Sequence, residues 1–156
     1  MGFRFLSLAI LFFLTPYKVA FAEESSPEKV VTLKGKLTIT RCGKKDFCAS
    51  DATSYPKIEI VLKDCPNDKG AICEGNWEAS KTFEGKEFKI RFTAVKHEGL
   101  YALVVTTDPD TNYERGVGVD LNADASLTNS FWFDGAVTSY NSGSVSYQPG
   151  IFVSSP

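Results

Sequence analysis

The chain has 156 residues, with 17 Lys or Arg, 19 Asp or Glu and one His, which gives a formal net charge of −2. Residues 97–156 contain seven acidic residues but only one base, Arg115, and this acidic part argues against nucleic acid as a partner because phosphate contacts need clustered Lys and Arg. The same charge is compatible with a bound cation.

The first 22 residues have the layout of a secretory signal peptide. Arg4 supplies a positive charge, residues 5–14 form an apolar run, and Ala20-Phe21-Ala22 places small residues at the −3 and −1 positions of a cleavage site. The apolar run is too short for a normal membrane span. We therefore expect cleavage after Ala22 and a secreted or periplasmic protein without a transmembrane span. The residue directly after the site is Glu23 and not cysteine, so a lipid anchor is not indicated.

Cleavage would leave residues 23–156 as the mature chain. This chain has 134 residues, and because Arg4 and Lys18 would be removed, its net charge would be −4. Residues 23–29 are predicted to be a polar leader, and residues 30–156 are long enough to form one domain with its own core.

All four cysteines lie in the exported part of the chain. An even number of cysteines in an oxidising compartment indicates disulfides, and four cysteines have three connectivities. We favour Cys42–Cys48 and Cys65–Cys73, because each pair brackets a short polar loop. Zinc is the alternative, but the cysteine spacings are wider than in usual zinc sites and the only histidine is distant in sequence.

The apolar pattern predicts strands almost throughout the chain. Strict alternation with polar residues is typical of half-buried antiparallel strands, and no window predicts an amphipathic helix. We expect an all-β fold, a single antiparallel β-sandwich of seven or eight strands. The predicted strands include residues 33–39, 58–62, 88–94, 100–107, 117–121, 131–137, 143–147 and 151–153. Longer loops are predicted at residues 64–75, 108–116 and 122–129. A hairpin turn is predicted at His97-Glu98-Gly99 and a further turn at Pro149-Gly150.

Two loops, residues 108–114 and 120–126, place Asp or Asn at alternate positions. This arrangement can turn several oxygens toward one hard cation, which suggests calcium as a cofactor. Neither loop is an EF-hand, because Tyr113 and Ala125 stand where that loop needs glycine. The alternative is that these residues start turns by hydrogen bonding to their own backbone.

The order of strands and acidic loops resembles the calcium- and phospholipid-binding β-sandwich named for the second conserved region of protein kinase C. In that family, a loop with two aspartates, the second in a Ser-Asp step, meets a later loop with Asp-x-Asp and a further acid. The resemblance implies a shared calcium site from both loops and a lipid or envelope surface as partner. The matching positions in this sequence are Asp46, Asp51, Asp108, Asp110 and Glu114.

A second candidate surface lies within the predicted Cys42–Cys48 loop. Lys44, Lys45 and Phe47 combine positive charge with an aromatic side chain, a pairing that suits a membrane surface or a protein partner. The alternative is that Phe47 packs back on the sandwich. Trp77 and Trp132 are expected in the core, although Trp132 faces opposite Phe131 and Phe133 in a two-residue period.

Catalytic patterns are weak in this sequence. His97 is the only histidine and belongs to a charged turn, which disfavours Ser-His-Asp and Cys-His mechanisms. We therefore expect an exported, non-enzymatic binding module, supported by calcium, that contacts a lipid, envelope or protein surface through its acidic and disulfide-closed loops. The alternatives are a secreted inhibitor or adhesion-type protein without metal, and a small hydrolase that uses acidic residues.

Overall fold

The computed structural model describes residues 28–43, 48–62, 70–108, 115–135, 138–139 and 145–156. The predicted signal peptide and its cleavage site lie outside these residues. Within them, the structure contains no helix long and apolar enough to span a membrane.

The described residues form nine strands, which confirms the all-β prediction. One of the nine is a two-residue strand that the sequence pattern did not separate from its neighbours. The strands are β1 (Lys29–Gly43), β2 (Cys48–Leu62), β3 (Ile72–Phe83), β4 (Lys86–His97), β5 (Leu100–Thr107), β6 (Arg115–Leu121), β7 (Phe131–Asp134), β8 (Thr138–Ser139) and β9 (Val145–Ser154).

Two antiparallel sheets make the sandwich. Sheet 1 has the order β2-β1-β9-β7, and β8 also pairs with β9. Sheet 2 is the meander β3-β4-β5-β6. Because β1 and β9 are paired in the centre of sheet 1, the two ends of the folded domain lie side by side.

The core forms where the alternating apolar residues of both sheets face each other. In β1, for example, Leu33, Leu37 and Ile39 are fully buried, whereas Lys34 and Lys36 between them are exposed. The two-residue period therefore assigns one face of each strand to the core. The largest fully buried side chains are Phe88, Phe92, Leu33, Leu37, Ile39, Ile58, Ile60, Leu62, Ile90, Leu103, Ile151 and Val31.

Along one side of the sandwich, strands β2 and β3 close the gap between the sheets. The rings of Tyr55 and Trp77 meet edge to face, with centroids 5.1 Å apart. At Gly75 the two backbones come so close that a Cβ would lie 2.3 Å from the carbonyl oxygen of Val61. Glycine is required here by close approach of a neighbouring strand.

The hairpins of sheet 2 agree with their sequence signals. Glu98 and Gly99 both have positive φ, 49° and 81°, as a two-residue turn of the primed type requires. The predicted hairpin at His97-Glu98-Gly99 is therefore confirmed. Glu84 and Gly85 make the equivalent turn between β3 and β4.

Three predicted loops or turns are wrong. Asp51, predicted in a loop, lies within β2, because the small polar residues 48–54 pair with β1 through the backbone although they lack apolar alternation. Residues 72–75, also predicted as loop, belong to β3, a strand that the apolar pattern did not predict at all. Pro149 and Gly150 continue β9 instead of turning, since the Pro149 carbonyl accepts a hydrogen bond from the Gly135 N–H and the strand pairs with β1 on its other side.

Gly75→Ala should lower the free energy of unfolding by roughly 3 kcal/mol, at the upper end of the range for overpacked sites. The new Cβ would clash with the backbone oxygen of Val61, which cannot move without breaking the β1–β2 pairing. The matched control is Gly118→Ala in β6, where a Cβ would meet nothing within 4 Å. Urea unfolding of both variants checks this, and equal stability of the two would contradict the close approach.

Candidate functional site

The disulfide between Cys42 and Cys48 is confirmed. The two residues are directly opposite each other on β1 and β2, with Cα atoms 4.2 Å apart, so the bridge closes the hairpin at its tip. Cys73 is also disulfide-bonded, and its predicted partner Cys65 lies outside the described residues.

The strand ends that flank the predicted loops meet at this disulfide end of the sandwich. Arg41, just before the disulfide, forms an ion pair of 3.1 Å with Glu84 in the β3–β4 turn. Near the same turn, Asp108 at the end of β5 is hydrogen-bonded to Lys89 of β4. The predicted residues Lys44, Lys45, Asp46, Phe47, Asp110 and Glu114 lie outside the described residues.

Asp51 is engaged by a lysine from the opposite sheet. Its Oδ2 lies 2.8 Å from the Nζ of Lys81, which also donates to the Thr53 hydroxyl at 2.7 Å. The hydrogen bond from Lys81 lowers the pKa of Asp51. Only 12% of the Lys81 side chain is exposed, so its ammonium group is shielded from solvent. Asp51 compensates the positive charge of this group.

Asp108, at the end of β5, bonds to β4 through both its backbone and its side chain. Its φ is +48°, its N–H donates to the Lys89 carbonyl at 2.8 Å, and its Oδ1 accepts from the Lys89 N–H at 3.2 Å. The side chain is buried, and burial raises its pKa. These contacts join Asp108 to the backbone of the neighbouring strand, whereas the alternative considered for this loop had the acid bonding to its own backbone.

The second acidic loop is closed by hydrogen bonds of its own. The Oδ1 of Asp124 accepts from the N–H and the hydroxyl of Ser126, at 3.0 and 2.6 Å, and the Asn122 amide donates to the same hydroxyl at 2.8 Å. The hydroxyl bond of Ser126 lowers the pKa of Asp124. Among the residues that the structure describes, no three His, Cys, Asp or Glu side chains are grouped closely enough to hold a metal ion.

A different candidate surface lies on the outer face of sheet 1. We call it the Trp132 row, and it takes one residue from each of four neighbouring strands. Three pairs in the register of the sheet define the row. Trp132 of β7 is opposite Phe152 of β9, Phe152 is opposite Lys36 of β1, and Lys36 is opposite Ser54 of β2. Trp132 is 51% exposed and Phe152 39% exposed, so two adjacent aromatic side chains face solvent.

The orientation of Trp132 is fixed by its surroundings. Its indole N–H donates to Oδ1 of Asp134 at 2.5 Å. The ring leans over Gly150, where a Cβ would lie 2.6 Å from Cζ2. The ring is thus held against the sheet with about half of its surface open, as expected of a preformed contact site.

A groove of about 200 Å³ adjoins this row. Phe152 and Pro56 stand at its sides, Gly35 lies between them, and Lys34 and Lys36 line it. The groove follows a β-bulge, because the register of β1 and β2 shifts between Leu33 and Gly35. A bulge of this kind bends the strand and re-aims side chains locally.

The sequence reasoning found this surface only in part. Trp77 is in the core as predicted, packed edge to face against Phe92, but the prediction that Trp132 is a core residue is wrong. Phe131 and Phe133 take the inward positions, so Trp132 between them must point outward. The two-residue alternation of β7 was the sequence signal that could have predicted an exposed Trp132. Nothing in the sequence around Phe152 indicates that β7 is the neighbouring strand.

Comparisons with protein-family models, with curated proteins and with solved structures found no match. The candidate site therefore depends on the geometry described above.

Asp108→Asn should be more stable than the wild type at pH 7 in calcium-free buffer. Burial raises the pKa of Asp108 above its ordinary value of 3.8, so the folded state holds the proton more tightly and the ionised form costs stability at neutral pH. The cost disappears as the pH falls through the folded pKa, so the difference should shrink near pH 3.8. Asn keeps an oxygen for the Lys89 N–H and tolerates positive φ. Urea unfolding at both pH values checks this, and a less stable variant at pH 7 would contradict it.

Calcium binding by Asp108, Asp110 and Glu114, with Asp46 and Asp51, stays a prediction. A cation that binds only the folded state raises its melting temperature, so millimolar calcium should do so, and magnesium less because it loses its water reluctantly. Replacing Asp108 and Asp110 together by Asn should remove the effect. A melting temperature that calcium leaves unchanged would contradict the site.

Proposed function

We propose that the protein is an exported, non-enzymatic binding module that holds its ligand on the outer face of sheet 1. The observation that carries this proposal is the half-exposed Trp132, whose orientation is fixed by Asp134 and Gly150. An immobilised aromatic ring loses little conformational entropy on binding, so it suits recognition.

We propose binding and not catalysis because the titratable groups have surroundings that suit structural roles. His97 is exposed beside the β4–β5 turn and is paired in the register with Ile72 and Leu100, two exposed apolar residues. Two ion pairs, Lys81 with Asp51 and Arg41 with Glu84, fasten one sheet to the other. This arrangement supports structural roles for these charges.

The proposed setting is an oxidising compartment outside the cytoplasm. The Cys42–Cys48 disulfide is consistent with that setting, since such bonds persist where thiols are oxidised. A partner there is a molecule of the envelope or of the surrounding medium. In this proposal, the disulfide holds the end of the sandwich and the outer face of sheet 1 makes the contact.

Binding should protect Trp132 from quenching by acrylamide. The described chain offers an internal reference, because Trp77 is half-buried against Tyr55 and Phe92, whereas Trp132 is 51% exposed. The difference between the wild type and Trp132→Phe isolates the emission of Trp132. We expect at least one ligand among acidic polysaccharide, neutral polysaccharide and phospholipid vesicles to reduce its quenching.

Trp132→Ala should remove binding of that ligand, whereas Leu100→Ala should not. Leu100 is 76% exposed but lies on sheet 2, so it controls for general loss of exposed apolar surface. If no ligand of the three classes protects Trp132, or if Leu100→Ala weakens binding as much as Trp132→Ala, the proposed binding face is wrong.

A further inference from the structure

We infer that the ligand of this face is an acidic polysaccharide, whose sugar rings stack on Trp132 and Phe152 while its carboxylates pair with Lys34 and Lys36. This inference rests on the proposed function and specifies its ligand. It follows from the shape of the row, its charge and the chemistry of its side chains.

The Trp132 row is long, narrow and level with the sheet. Neighbouring strands are about 4.8 Å apart, so its four residues extend over roughly 14 Å across the strands. The adjoining groove, at about 200 Å³, is smaller than the roughly 300–1,000 Å³ usual for sites of drug-sized ligands. Such a site fits a few ring-sized units of an extended chain better than one compact molecule.

The charge of this face favours an anion. Within the part of the chain that the structure describes, Lys34 and Lys36 form no ion pair with an acidic side chain. Of the acids nearby, Glu59 pairs with Lys57 at 2.8 Å, whereas Asp134 accepts the neutral indole N–H of Trp132 and keeps its negative charge. Lys34 and Lys36 against Asp134 leave one positive charge in excess on this face, although the chain as a whole has a net charge of −2.

The aromatic side chains favour sugar rings. The face of an aromatic ring is electron-rich, so it attracts the polarised C–H groups on the apolar side of a pyranose ring. The Trp132 ring occupies the space over Gly150 that a side chain would need, and about half of Trp132 stays exposed. Polar groups that can bond to sugar hydroxyls line the same face, with Ser54 in the row and Thr38 and Gln148 in the next two rows.

A bilayer fits this face less well. Interfacial protein segments bury their apolar side by about 5–10 Å among the lipids. Here the indole is held against a flat sheet and the neighbouring residues are hydroxyl and lysine side chains, so insertion of Trp132 would also bury Ser54 and Lys36. A globular protein partner fits less well too, because stable interfaces bury about 800 Å² on each side, and the exposed apolar part of this row consists of two side chains.

The test uses the mature protein with polygalacturonate oligomers and, as a matched neutral ligand, the same oligomers with methyl-esterified carboxylates. Isothermal titration calorimetry should show that the acidic form binds and that the esterified form binds at least roughly tenfold more weakly. Binding should weaken with added salt, because exposed charge pairs are screened.

Two sets of variants locate the contacts. Lys34→Gln with Lys36→Gln should weaken binding roughly tenfold and reduce its salt dependence. Lys57→Gln with Glu59→Gln on the same face should not, because it removes an ion pair and leaves the net charge of the face unchanged. Trp132→Ala should also weaken binding. The lysine variants change only exposed side chains, so they keep the test decisive if Trp132→Ala fails to fold.

The outcomes separate this inference from the proposed function. If Trp132 is protected by phosphatidylcholine vesicles containing phosphatidylglycerol but not by polygalacturonate, the face binds a ligand and the polysaccharide inference is wrong. Equal binding of the acidic and esterified oligomers would also overturn it. If Trp132 is protected by none of these ligands, the proposed function is wrong as well.

Discussion

The close approach of β2 and β3 is the constraint on which the sandwich depends. These strands belong to different sheets, and at Gly75 they are too close for any side chain. From that point toward the Cys42–Cys48 disulfide, the gap is filled first by an aromatic pair, Tyr55 with Trp77, and then by the Lys81 ion pair with Asp51. Because one side of the sandwich is closed in this way, the inner faces of both sheets are fixed relative to each other, and the side chains between them have no freedom to exchange places with those outside.

That fixed arrangement determines what the outer face of sheet 1 presents. A strand that places Phe131 and Phe133 toward the core must place Trp132 outward, and the pairing of β7 with β9 then sets Phe152 beside it. The exposed aromatics are therefore a consequence of the register, and their position is as rigid as the sheet. Loops carry many binding sites because they vary easily, but a site on paired strands keeps its geometry without a ligand.

The sequence predicts most of the sheet structure and little of the site. Buried residues such as Leu33, Phe88 and Leu103 lie in segments with a strong apolar pattern, so both the strands and the fold class could be predicted. The amino-terminal half of β2 could not, because its small polar residues pair through backbone hydrogen bonds that leave no mark on composition. The Trp132 row is invisible for another reason, since Trp132, Phe152 and Lys36 come from strands far apart in the chain and meet only through the sheet order.

The distribution of charge follows from the same architecture. Lys81 lies between the sheets, where little solvent reaches it, and Asp51 compensates it. A lysine in that position without an acid would leave a poorly solvated charge unpaired, which costs far more than an exposed one. Lys34 and Lys36 are in the opposite situation, since they are exposed and solvated, so the fold does not require a partner for either. The shielded lysine, Lys81, thus has a structural charge that is paired within the fold. The two exposed lysines, Lys34 and Lys36, lie beside the exposed aromatic side chains, and their charge is available to a ligand.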